Sequence, residues 1–179
     1  QIVASAFHQC SLSEDLDTAR QGVEYTERFL LTTKPDSVSD VGWIAVLYDL
    51  SSRHPPVDAD DVRMKYCALV GKILLLTLPK LSHRKENWDA LTSIVQQTAG
   101  VIGTNLRAGR RGNVSPLFEG TVQIVTNMCN VMSLPEFDGG TGFSQWAGET
   151  LLAELEKVGA SGGAASMIAA TRSQSVANV

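Results

Sequence analysis

Apolar residues recur at three- and four-residue steps along most of the chain, which is the periodicity of amphipathic helices. The pattern predicts that a first helix starts at Ser11–Glu14, where a hydroxyl stands three residues before a carboxylate as in a capping box. This helix should end before Pro35, because the residue before a proline resists helical dihedral angles. Its apolar stripe comprises Leu12, Leu16, Ala19, Val23, Phe29 and Leu30.

A second helix is predicted to start within Ser37–Asp40 and to end at His54-Pro55-Pro56. Its apolar stripe comprises Val41, Ile44, Leu47 and Tyr48. Trp43 lies off that stripe, and we expect it to pack against a neighbouring element.

A third helix should follow the acidic residues Asp58, Asp60 and Asp61, since negative charge at a helix N-terminus is favoured by the helix dipole. It runs to about Leu78. Its second half is almost entirely apolar, and a helix that is apolar on every side is buried on every side. We therefore expect this helix to be the central one.

Three more helices complete the chain. One follows a basic connector at 80–85 and carries the stripe from Trp88 to Leu106, before a loop at 108–113. Another is opened by Ser115 and Pro116, and the last follows the glycine-rich turn at 138–142. Strand patterns are absent from the sequence. The prediction is an all-α fold: a compact bundle or orthogonal stack of about six helices, with a helical core domain at 1–158.

Residues 159–179 are rich in small residues and should form an extended C-terminal tail. Such a terminus is usually disordered unless something holds it. Two interpretations stay open, namely packing on its own domain and packing on adjacent copies in an assembly. The sequence starts with glutamine rather than methionine, so we interpret the chain as processed or as a segment of a longer protein.

Composition excludes several protein classes. Hydrophobic residues make up 44% and charged residues 19%, which is enough apolar material for a core. No apolar run is long enough to span a membrane, and no secretory signal is visible, so we expect an intracellular (cytoplasmic) or virion location. The three cysteines are too few and too scattered for a disulfide framework.

Candidate chemistry is weak, and we expect no enzyme, cofactor or metal site. The segment 159–163 matches G-x-S-x-G, but a hydrolase elbow needs that serine between a strand and a helix. His8 and Cys10 are two residues apart, which places them on different faces of a helix. Cys67 and Cys129 lie on apolar faces, where cysteine usually acts as a small hydrophobe.

Charge is distributed unevenly. The formal net charge is -4, yet residues 80–111 hold six basic and two acidic side chains, a local net of +4. Arginines beside glycines suit forked contacts with phosphate oxygens. The candidate nucleic-acid-binding residues are Arg107, Arg110, Arg111, Lys80, Arg84 and Lys85. An unbroken helix over 86–106 would separate the two basic groups by about 31 Å, so the arginine group is the better single site. A solvated loop or an acidic protein partner explains the same charge.

Two functions follow as expectations. The first is a structural, self-assembling protein, such as a viral coat or nucleocapsid subunit, with copies of itself as the main partner and single-stranded RNA backbone as a candidate second one. The alternative is a helical protein–protein interaction module of a larger intracellular protein, which would bind its partner through an apolar groove. Aromatic residues near the basic segment are scarce, which weakens the RNA interpretation.

Overall fold

The computed structural model describes residues 2–56, 58–110, 115–134 and 136–158, with side chains described from Ser5 onward. This part of the chain contains seven α-helices and no strand, so the all-α prediction is confirmed, with one helix more than expected. The α-helices are α1 (Ile2–Ser11), α2 (Leu16–Thr32), α3 (Asp40–Ser52), α4 (Asp60–Ser82), α5 (Trp88–Gly109), α6 (Pro116–Met132) and α7 (Phe143–Lys157). Two short 3-10 helices lie at Pro35–Ser37 and Lys85–Asn87.

Helix α4 is the centre of the fold, as predicted. It packs against α2, α3, α5, α6 and α7, and buried residues cover more than half of its circumference, while Lys65 and Lys72 on the remaining side are exposed. Ile73, Leu74 and Leu78 have no exposed surface. The helix continues past Pro79 to Ser82, so the expected basic connector starts inside the last turn of α4.

Two of the predicted helix starts are confirmed by their caps. The Ser39 hydroxyl accepts a hydrogen bond from the Gly42 amide at 3.2 Å, and the Ser115 hydroxyl accepts one from the Phe118 amide at 3.4 Å. These bonds satisfy amides that have no intrahelical partner. Proline follows Ser115 in the first turn, as expected.

The predicted start of the first helix at Ser11–Glu14 is wrong. Ser11 ends α1, and its hydroxyl donates to the His8 carbonyl at 2.6 Å. Asp15 caps α2 instead, accepting from the Thr18 amide at 2.8 Å. Because α1 occupies the segment before Leu12, the chain must turn before the next helix can begin.

The buried face of α3 also differs from the predicted stripe. Val41 is 75% exposed and Tyr48 is 52% exposed, although both belong to the apolar stripe. Trp43 is buried, and its indole N–H donates to the Pro35 carbonyl at 2.8 Å. This bond fixes the rotation of α3, so that Leu47 and Leu50 face the core and an apolar strip faces outward.

Helices α1 and α2 form a tight antiparallel pair. A Cβ atom added at Gly22 would lie 2.2 Å from the Ser11 amide nitrogen, so the two backbones touch. The Phe7 ring packs against those of Tyr25 and Phe29, with ring centroids 5.8 and 6.1 Å apart. This pairing, together with a contact between α1 and α3, places α1 at the edge of the bundle.

The predicted turn at 138–142 forms as expected, with positive φ angles at Gly139, Gly140 and Gly142. The Asp138 carboxylate accepts from the Ser144 amide at 3.0 Å and from the Thr141 hydroxyl at 2.7 Å, which caps the start of α7. Burial by itself raises the pKa of Asp138, but the hydrogen bonds outweigh it and the pKa lies below its usual value.

The tail predicted at 159–179 lies outside the described residues. Among the helices described, none combines the length and the apolar character that crossing a bilayer requires. The described apolar core runs as one cluster from Ala19 to Val158.

Candidate binding cleft and the predicted basic residues

A cleft of about 600 Å³ is lined by residues of α1, α2 and α3. Small and aliphatic side chains form most of its walls. Those on α1 and α2 are Ala6 and Leu30, and those on α3 are Ala45, Val46 and Leu50. Ser5, Gln9 and Thr26 add polar groups to the lining. The volume falls within the range of protein ligand sites, which are mostly apolar with a few fixed polar groups.

One end of the cleft is polar and is organised around His8, which is 1% exposed. Its Nδ1 lies 2.8 Å from an Asp49 carboxylate oxygen, and its Nε2 lies 2.8 Å from the Tyr66 hydroxyl. The Tyr66 hydroxyl in turn donates to the Leu50 carbonyl at 2.7 Å. His8 therefore joins α1 to both α3 and α4.

The hydrogen bonds of this bridge determine where the protons lie. A carbonyl only accepts, so the single Tyr66 proton is donated to Leu50, and the His8 Nε2 must donate to the Tyr66 oxygen. The Asp49 carboxylate accepts from Nδ1. The pattern is complete when both ring nitrogens of His8 carry a proton, which makes the contact with Asp49 a partly buried ion pair.

The same geometry engages the polar atoms of His8 and Tyr66 within the fold. Burial, followed by the charge of Asp49, raises the pKa of Tyr66 far above its usual range. Tyr66 therefore stays a neutral hydroxyl, and both His8 nitrogens are already engaged. These side chains hold three helices together at the end of the cleft.

Arg53 is the exposed member of the polar end. It follows the last residue of α3, its side chain is 54% exposed, and its Nε lies 4.0 Å from an Asp49 oxygen. That distance is too long for a hydrogen bond. In the described part of the chain, its two terminal nitrogens have no hydrogen-bond partner. They are free to bind a group that enters the cleft.

The first predicted basic group is partly used inside the fold. The Lys80 ammonium donates to the carbonyls of Pro35 and Val38, each at 3.1 Å, and lies 3.7 Å from Asp40. The Arg84 Nε lies 3.3 Å from the same carboxylate. Both cations therefore fasten the end of α4 to the start of α3, and Asp40 together with Asp36, which lies 3.9 Å from Lys80, offsets their charge.

The other predicted basic residues that the structure describes, Lys85, Arg107 and Arg110, are exposed but separated. The Lys85 ammonium lies over the Trp88 ring at 6.0 Å, at the start of α5. Arg107 and Arg110 lie at the opposite end of this unbroken 22-residue helix, about 33 Å away. Arg111 lies outside the described residues. Among the described residues, the structure does not bring Lys85 together with Arg107 and Arg110 within one chain.

Metal-binding side chains are also dispersed. Among the described residues, no group of three or more histidine, cysteine or carboxylate side chains converges. Burial raises the pKa of the Cys67 and Cys129 thiols to about 12, which keeps them protonated. Protonated thiols are poor metal ligands.

The residues of the cleft are ones that the sequence analysis missed. His8 is 41 residues from Asp49 and 58 residues from Tyr66, so no local motif connects them. The one available signal is a histidine among the apolar residues of an N-terminal segment. Scans against protein-family models, curated proteins and solved structures each found no significant match.

Proposed function

We propose that this chain is a helical protein-interaction module whose cleft between α1 and α3 receives an apolar segment of a partner protein. The observation that carries the proposal is the cleft itself, with aliphatic walls from three helices and one fixed polar end. Removing apolar surface of this kind from water lowers the free energy, so a partner that covers the cleft is bound favourably. This interpretation places the module inside the cell.

The surface beside the cleft supports the same function. Val41, Ala45 and Tyr48 are spaced by four and three residues, and all three are exposed on α3. They form a strip that starts at the cleft, because Ala45 also lines it. Tyrosine is enriched in protein interfaces, where its ring buries area and its hydroxyl stays hydrated. A bound segment can therefore extend from the cleft over this strip.

Replacing Ala45 with tryptophan should abolish binding in the cleft. Ala45 is exposed on a helix, so the larger side chain can be accommodated without disturbing the core, while its indole occupies the space between α1 and α3. The probe is a displayed library of short amphipathic peptides, selected against the wild-type chain. We expect the selected peptides to lose at least tenfold in affinity for Ala45→Trp, measured by fluorescence anisotropy.

The matched control is Asn130→Trp, which adds the same side chain to an exposed position of α6. Helix α6 packs on α4, α5 and α7, so this tryptophan lies away from the cleft. Peptides should bind Asn130→Trp as they bind the wild type. Failure to select any peptide, or equal affinity for Ala45→Trp and the wild type, would overturn the proposal.

A second candidate function is a self-assembling subunit, as in a virion, that contacts RNA backbone. The observation that favours it is the exposure of Arg107 and Arg110 together at the end of α5. Arg111 follows them directly in the sequence. Contacts with phosphates would give an affinity that is indifferent to sequence and sensitive to salt. Lys80 and Arg84 add little to such a site, because Asp40 already pairs with them.

If this second function is correct, Arg110→Glu combined with Arg111→Glu should abolish retention of single-stranded RNA while the subunit stays folded. Removing two phosphate contacts should also reduce the slope of log affinity against log salt by about 1.4. The measurement is filter binding of poly(U) at several salt concentrations. The control Arg28→Glu with Lys34→Glu changes the net charge equally at exposed positions elsewhere. RNA retention by the first variant at physiological salt would count decisively against an RNA role.

A further inference from the structure

The polar end of the cleft carries unbalanced positive charge. The hydrogen bonds of His8 are complete when both ring nitrogens carry a proton, and this protonation makes its contact with Asp49 a partly buried ion pair. Tyr66 is neutral, so the remaining charge is that of Arg53, which is half-exposed at the rim. Arg53 lies 4.0 Å from Asp49, and its terminal nitrogens have no partner in the described part of the chain.

We propose that the segment bound in the cleft presents a carboxylate to the Arg53 guanidinium. This inference rests on the proposed function and specifies the chemistry of the partner. A guanidinium offers parallel N–H groups that match the two oxygens of a carboxylate. The terminal nitrogens of Arg53 can make this forked contact while its Nε stays near Asp49.

A basic partner fits this end of the cleft poorly. One Asp49 oxygen already accepts from His8, and the other faces Arg53. A lysine or arginine side chain directed at Asp49 would therefore meet two positive groups. Like charges disfavour each other at short range in a partly desolvated site. Charge complementarity therefore selects an aspartate or glutamate on the partner.

The test uses the displayed peptide library. One position of each peptide, flanked by apolar residues, is randomised to all amino acids. The library is selected in parallel against the wild type, Arg53→Gln and Arg53→Glu. Wild type should enrich aspartate and glutamate at the randomised position. Arg53→Gln should lose this enrichment while keeping the apolar preference. Arg53→Glu should instead enrich lysine and arginine. For a single selected peptide, replacing its glutamate by glutamine should weaken binding to wild type about tenfold.

The control Arg28→Gln removes one positive charge from the face of α2 opposite Thr26 and Leu30, which line the cleft. It should select the same acidic peptides as the wild type. Suppose that Ala45→Trp blocks peptide binding but the wild-type selection enriches neither aspartate nor glutamate. The carboxylate inference is then wrong and the proposed function stands. The carboxylate inference is equally wrong if the enrichment persists in Arg53→Gln. If no peptide binding is blocked by Ala45→Trp, both proposals fail.

Discussion

Alanine at position 22 should detach α1 from the bundle. The added Cβ atom would lie 2.2 Å from the Ser11 amide nitrogen and 2.5 Å from the Cys10 carbonyl carbon. Both are backbone atoms, so no change of side-chain rotamer relieves the overlap and α1 itself must move. Overpacking of this kind typically costs 1–3 kcal/mol, and we expect about 3 kcal/mol here, measured by urea unfolding. Peptide binding should also be lost, because α1 forms one wall of the cleft.

The control for this prediction is Gly100→Ala in α5, where an added Cβ atom has no neighbour within 4 Å. Alanine is favoured over glycine in a helix by about 1 kcal/mol, so Gly100→Ala should stabilise the chain. The same Gly→Ala substitution is therefore expected to lower the free energy of unfolding at position 22 and to raise it at position 100. Hydrogen exchange should show that Gly22→Ala exposes the amides of α1 before those of α4. A stabilising Gly22→Ala would contradict the close pairing of α1 with α2.

The parts of the fold that follow from local chemistry could be predicted from the sequence. Ser39 and Ser115 cap the helices that follow them, and a serine cap needs only its own neighbours to act. The central position of α4 followed from its nearly continuous apolar second half, a property of one segment. The glycine turn before α7 is local in the same sense, since positive φ angles favour glycine.

Helix α1 and the orientation of α3 depend on distant contacts, and the sequence pattern did not predict them. Helix α1 is fixed by the close approach to Gly22 and by the bonds of His8 to residues far along the chain. Helix α3 has apolar residues on two faces, so periodicity alone does not say which face is buried. The Trp43 bond to the Pro35 carbonyl decides it, and this leaves Val41 exposed.

The candidate site could be predicted only in part, for a related reason. Counting charges located a basic segment, but it did not show that Asp40 is close enough to pair with Lys80 and Arg84. The fold contains an apolar cleft, and its use as the expected binding groove stays a prediction. The residues that line the cleft could not be predicted from the sequence, because they come from three helices that meet only in the folded chain.

Replacing Tyr66 with phenylalanine should destabilise the chain by about 3 kcal/mol, although it removes a single oxygen atom. Tyr66 is buried, and its hydroxyl links the His8 Nε2 to the Leu50 carbonyl. That carbonyl is among the last four of α3, which have no partner within the helix. Phenylalanine therefore leaves one buried donor and one buried acceptor unpaired, at about 1–3 kcal/mol each. The control Tyr48→Phe removes the hydroxyl of an exposed tyrosine and should change stability by less than about 0.5 kcal/mol.

A double-mutant cycle separates this bridge from simple packing. His8→Leu replaces the imidazole with an apolar side chain of similar size, so in His8→Leu with Tyr66→Phe no imidazole N–H is left facing the phenylalanine ring. The double variant should lose about 1–2 kcal/mol less than the sum of the two single losses, because without the imidazole the missing Tyr66 hydroxyl leaves no buried N–H unpaired. Strict additivity in urea unfolding would show that His8 and Tyr66 do not interact. The second proton of His8, which is inferred from its bond to Tyr66, would then lose its support, and so would the charge balance from which the acidic preference at Arg53 is inferred.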